Sequence, residues 1–155
     1  MSSRFMSVGV AAILILVASC AFAAEKKINR SALPAAVEKT VQEQSQGATI
    51  NGFSMEKEKG KAIYEVEMTI SGHGKDVSIS ADGSVVEVEE EVAQDSLPEL
   101  VNSALTKRAG AAKIIKVEAV SKDGKVVSYE ATTQKGKKQS EVAVGPNGEK
   151  VADED

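Results

Sequence analysis

The sequence predicts an exported α+β protein made of two tandem α-β-β-β-β repeats, with the helices packed on one face of an antiparallel sheet. Three observations predict it. An apolar leader precedes the rest of the chain, the remainder repeats at an offset of 64 to 65 residues, and each helix-patterned stretch is followed by apolar/polar alternation. The chain has 155 residues, 42% hydrophobic and 27% charged, the balance of a soluble globular protein.

The leader comes first. Arg4 precedes an uncharged apolar run from Val8 to Ser19, and Ala21-Phe22-Ala23 places small residues at a cut after Ala23. A positive start, a short apolar run and an A-x-A site describe a secretory signal peptide over 1–23. The run falls short of the roughly 20 apolar residues of a membrane span. Val17-Ala18-Ser19-Cys20 also resembles a bacterial lipobox, in which Cys20 would become a lipidated N-terminus. Both outcomes stay open: release after Ala23, or anchoring through Cys20. Either way the folded part has no thiol, hence no disulfide and no cysteine chemistry. Removing Arg4 with the leader leaves 18 basic and 23 acidic residues. That acidity argues against a nucleic-acid partner, which calls for a clustered basic surface.

A leader segment, 24–30, connects to the first repeat, 31–92; the second occupies 95–152. At an offset of 64, Leu33-Pro34 meets Leu97-Pro98, Val37 meets Val101 and Val41 meets Leu105. One insertion later, Tyr64 meets Tyr129, Val77 meets Val142 and Asp82-Gly83 meets Asn147-Gly148. Leu33, Val37 and Val41 give the first helix a narrow apolar stripe, with Ser31 as cap and Gly47 as stop. Leu97, Val101 and Leu105 give the second, with Ser96-Leu97-Pro98-Glu99 as a capping box and Gly110 as stop.

Strands follow with period two. Tyr64, Val66, Met68 and Ile70 alternate with Ile63, Glu65, Glu67, Thr69 and Ser71. Val77 and Ile79 alternate with Asp76, Ser78 and Ser80, and Val86 and Val88 with Glu87 and Glu89. This is the pattern of an antiparallel sheet with one dry and one wet face. Lys59-Gly60, Gly72-His73-Gly74-Lys75 and Asp82-Gly83 are the expected turns. Glu89 to Asp95 is the expected junction of the repeats. In the second repeat, Thr133 and Lys135 replace Met68 and Ile70, and the last strand runs into "ADED", expected to fray.

The opening helix, "YEV" at Tyr64 to Val66, and "VSISADGSVVEVE" at Val77 to Glu89 resemble the PepSY family, specifically the tandem PepSY-like proteins grouped with the β-lactamase inhibitor protein fold. The second repeat keeps "YEA" and "VAVGPNGEKV" at Val142 to Val151. The resemblance implies a non-catalytic module. Such modules occur in propeptides of thermolysin-type metalloproteases and in bacterial envelope proteins, where inhibition or peptide binding is proposed. The related inhibitors grip their enzyme with a concave, aromatic-rich sheet face. Here Phe53, Tyr64 and Tyr129 are the only aromatics after the leader, and they fall at or near core-facing positions.

No cofactor is expected, and catalytic residues are not assigned. His73 is the only histidine. A lone His between two glycines neither completes a metal site nor activates a nucleophile, and Asp76 is its nearest sequence candidate for a carboxylate partner. Asp82-Gly83-Ser84 lacks the further carboxylates of a calcium loop. The expected binding residues are Glu65, Glu67, Glu87 and Glu89, whose like charges on the wet face would be relieved by a cation or a Lys/Arg-rich peptide. The expected function is therefore an exported binding module for a peptide or protein, with a secreted protease as the inhibitory sub-case. It would act through the sheet face or through an edge by strand addition. A structural envelope lipoprotein without a small ligand is the alternative, with membrane contact only through Cys20.

Overall fold

The structure, a computed structural model, describes residues 26–151. The leader with Cys20 and the "ADED" tail lie outside the described residues. The elements run β1 (Lys26–Lys27), α1 (Ala35–Gln44), β2 (Thr49–Glu58), β3 (Lys61–Ile70), β4 (His73–Ser80), β5 (Val85–Glu91), α2 (Glu99–Ala109), β6 (Lys113–Lys122), β7 (Lys125–Lys135) and β8 (Lys138–Val144). All strands join one antiparallel eight-stranded sheet, in sequence order from β1 to β8.

Tight turns make this order possible. Glu58 pairs with Lys61, Ile70 with His73 and Lys122 with Lys125, so each hairpin closes over two residues. Those residues, Lys59-Gly60, Ser71-Gly72 and Asp123-Gly124, all have positive φ, the backbone of the hairpin turn that matches strand twist. The second turn corrects the sequence reading. His73 is not at the tip; it opens β4, and Ser71 takes the left-handed position beside Gly72.

Both helices lie on the same face. Val37 and Val41 of α1 pack with Val66, Met68, Val77 and Ile79, while Val101 and Leu105 of α2 pack with Val117, Ala131 and Val144. Each valine, leucine, isoleucine or methionine side chain so removed from water contributes about 1.5–3 kcal/mol. Tyr64 and Tyr129 sit half-buried at the margin of the first and second cluster respectively. At the offset position of Met68 stands Thr133, 1% exposed, whose hydroxyl donates to the Ser140 carbonyl at 2.9 Å. A polar atom is thereby tolerated in the interior.

The helix starts differ from expectation. Ser31 lies in a short 3₁₀ turn, Arg30–Ala32, and Pro34 is the N-cap of α1, with no side-chain cap. Likewise Pro98 caps α2, and Ser96 bonds the Ala93 carbonyl at 2.7 Å rather than completing a capping box with Glu99. In both cases the proline, held extended, sets the boundary before the serine can reach the first amides. Gly110 ends α2 with positive φ, as expected; α1 ends earlier, at Ser45, with Gly47 beyond it.

The strand count also differs. Four strands follow α1 but three follow α2, because beyond β8 only a single bridge, Val144 with Lys150, forms among the described residues. Lys26 and Lys27, read as leader, pair with Met55 and Ser54 and cover part of the β2 edge. The two halves share the sheet through β5 and β6, where Val88 to Glu91 pair with Ser121 to Glu118.

Candidate functional site: the open face of the sheet

The face opposite the helices carries no other described element, and its composition follows from period-two alternation. Wherever Val66, Val77, Val88 or Val117 points to the helices, the adjacent residue points away. The strand register then arranges the wet residues in rows. One row holds Ser54, Glu65, Ser78 and Glu87; the next holds Gly52, Glu67, Asp76 and Glu89, followed by Val120 and Ser128. Glu118 of β6 lies opposite Glu91 on one side and Glu130 on the other.

All four expected residues, Glu65, Glu67, Glu87 and Glu89, thus occupy this one face in two adjacent rows. The sequence reading missed that Asp76 sits between Glu67 and Glu89, and it missed Glu118, Glu130 and Lys116 entirely. The alternation of "KVEAV" (Lys116 to Val120) and the expected repeat offset carried that signal, because an offset of 65 aligns Glu130 with Glu65.

Asp76, Glu89 and Glu118 each place one carboxylate oxygen so that the three lie within 4.8 Å of one another. Burial pushes the Glu89 carboxyl up to about 8, reinforced by the charges of Glu87, Glu130, Glu118 and Asp76. Asp76 is raised by burial and then by Glu118 and Glu67, and Glu130 by burial and then by Glu141, Glu87 and Glu118. Crowded carboxylates in a partly dry site cannot all ionise freely. Two lysines temper the field: Lys116 Nζ lies 2.8 Å from Glu118 Oε2, and Lys122 Nζ lies 3.2 Å from Glu87 Oε2. Burial opposes the charge on Lys116, but the Glu118 hydrogen bond and the charges of Glu118, Asp76 and Glu89 outweigh it and raise its pKa.

Small residues make room for these groups. The Glu67 carboxylate passes over Gly52, 3.7 Å from where a Cβ would stand, and the Gly74 amide donates to Glu91 Oε2 at 3.1 Å. Four side chains of the same face are recessed although no described helix covers them: Ser54, Ile63, Val120 and Ser128 are 2%, 7%, 3% and 6% exposed. Ile63, expected to be wet, is therefore buried on the wet face.

His73 stands apart. Its Nε2 lies 3.4 Å from Glu90 Oε1, both groups being well exposed. Its carboxylate neighbour is thus Glu90 on the paired strand rather than Asp76, because residues 73 and 76 alternate to opposite faces of β4.

No protein-family model matches the sequence, and no curated protein does. Solved structures do resemble it. A BLIP-like protein from Bacteroides fragilis superposes with a TM-score of 0.55 at 18% identity, over 77% of this chain and 84% of its own. A protein from Bacteroides eggerthii, described as a candidate periplasmic protein, gives 0.60 at 16%, over 76% and 84%. A DUF2874 family protein from Bacteroides ovatus gives 0.58 at 17%, over 77% and 85%. At these identities the likeness shows the fold: an open antiparallel sheet carrying two helices on one side, of the BLIP-like kind.

Proposed function

We propose that the chain is an exported, non-enzymatic binding module that engages a peptide or protein through the open face of its sheet. The observation that carries this reading is the uncovered, half-buried acidic face, which a two-layer fold of this size has no internal use for. The BLIP-like neighbour supports it by analogy of fold alone, and the candidate periplasmic neighbour supports export to the bacterial periplasm. Inhibition of a secreted protease is the sub-case of this reading, and the two helix-led halves are PepSY-like copies of one unit. The glycine contacts favour the duplication. A Cβ on Gly83 would stand 2.8 Å from the Ala36 carbonyl oxygen, and one on Gly148 would stand 2.6 Å from that of Leu100. Each turn thus docks on its own helix at equivalent repeat positions.

The test is affinity capture from the native envelope fraction with the wild-type chain and with Glu65, Glu67, Glu87 and Glu89 all changed to Gln. Loss of every captured protein in the quadruple variant supports the reading; an unchanged set of partners sinks it.

A further inference from the structure

Resting on the binding-module reading, we propose that the occupant of the open face is a basic segment of a partner protein. It lies across β3 to β6, with a lysine or arginine seated among Asp76, Glu89 and Glu118. Two independent features of the face lead there. The first is its form. Ile63, Val120, Ser54 and Ser128 are recessed without a covering element among the described residues, so the face offers apolar and hydroxyl contacts between its charged rows. A purely solvating surface would leave such positions exposed.

The second is its charge. The central row runs through Glu67, Asp76 and Glu89, and among the described residues neither lysine nor arginine reaches ion-pair distance of Asp76 or Glu89. Lys116 and Lys122 are engaged by Glu118 and Glu87, and Lys116 acts on Asp76 and Glu89 through its charge without forming an ion pair with them. The unbalanced sign repels acidic peptides and phosphate groups and steers a basic segment inward.

The seat also fits an organic cation better than a metal ion. An ammonium carries three N–H donors, and three carboxylate oxygens converge within 4.8 Å. A calcium ion takes about six to eight oxygens, many from loop carbonyls. Here the carbonyls of β4, β5 and β6 are engaged in the strand ladder.

Two measurements on the chain lacking residues 1–23 test this. The first is fluorescence anisotropy with an extended peptide alternating lysine and valine, and with its glutamate counterpart. The lysine peptide is expected to bind and the glutamate peptide not. Affinity should fall roughly tenfold or more in Asp76→Asn/Glu89→Gln/Glu118→Gln, which removes the three carboxyl groups of the seat. It should hold in Glu43→Gln/Glu58→Gln/Glu99→Gln, which removes three charges elsewhere. Equal losses in both variants would reduce the effect to net charge and overturn the proposal. So would displacement of the peptide by micromolar calcium with a saturable heat, which makes the seat a metal site, or a shift to dimers on size exclusion that the peptide dissolves.

The second measurement separates this proposal from the reading beneath it. Ser78→benzoylphenylalanine, placed between Glu65 and Glu87, is photocrosslinked in the native envelope fraction and the joined segment is sequenced. A segment with several lysines or arginines supports the proposal. A neutral or acidic segment overturns it while leaving the binding module standing, and no crosslink overturns both.

Discussion

Glu89 carries the strongest perturbation of the face, and its consequence is a pH-dependent stability. Its carboxyl is raised from an ordinary 4.5 to about 8 by burial and by its acidic neighbours on β4, β5, β6 and β7. Between those values the folded chain binds a proton that the unfolded chain releases. That contribution is fully present below about pH 4.5 and is lost as pH rises through about 8. Glu89→Gln cannot ionise, so it should be more stable than wild type by about 1–2 kcal/mol near pH 9, after allowing for partial exposure. The difference should vanish near pH 4, as read by urea unfolding at each pH.

Gly83 is a second residue-scale case. It combines φ of 90° with a Cβ position 2.8 Å from the Ala36 carbonyl, whereas Gly60 has φ of 82° and open space around it. Gly60→Ala should cost about 1–2 kcal/mol, from backbone strain alone. Gly83→Ala should cost more, because the backbone of α1 must also move away; paired denaturant melts measure the difference.

The helices owe their place to packing more than to their own ends. Neither has a side-chain cap, and the prolines that open them replace the expected serine caps. Leu105, fully buried against the sheet, should therefore matter strongly: Leu105→Ala is expected to cost about 2–5 kcal/mol in urea unfolding. A Ser31→Ala or Ser96→Ala change should cost less than about 0.5 kcal/mol, since neither hydroxyl caps a helix. The contrast marks what could be read from the sequence. Helix stripes, strand alternation and most hairpin turns follow from local periodicity, so their positions were legible. The serine caps were misread because a proline two or three residues later fixes the boundary by its own φ. His73 was placed in a turn because glycine on both sides outweighed the fact that serine tolerates the left-handed position. The four expected glutamates were legible from alternation. Asp76, Glu118 and Glu130 became part of the same face only through the register of β4 to β7, which single-strand periodicity does not specify.

For the whole molecule, the question is how two helix-led halves become one body. Their shared ladder is short, from Val88–Ser121 to Glu91–Glu118, yet it lies at the centre of the sheet and under the acidic rows. One cooperative unfolding transition is expected in wild type. Ala119→Pro, which removes a donor within β6 where both neighbouring strands pair, should split or broaden that transition in calorimetry. A single sharp transition in the variant would show that the two halves do not depend on this ladder.

The strictly sequential order of strands has a kinetic meaning as well. Every strand from β2 to β8 pairs only with partners made just before or just after it, apart from the α2 excursion between β5 and β6. Low contact separation of this kind favours fast folding. A chain that emerges from its N-terminal end onward therefore locks each hairpin as it appears, without waiting for a distant strand to close the sheet.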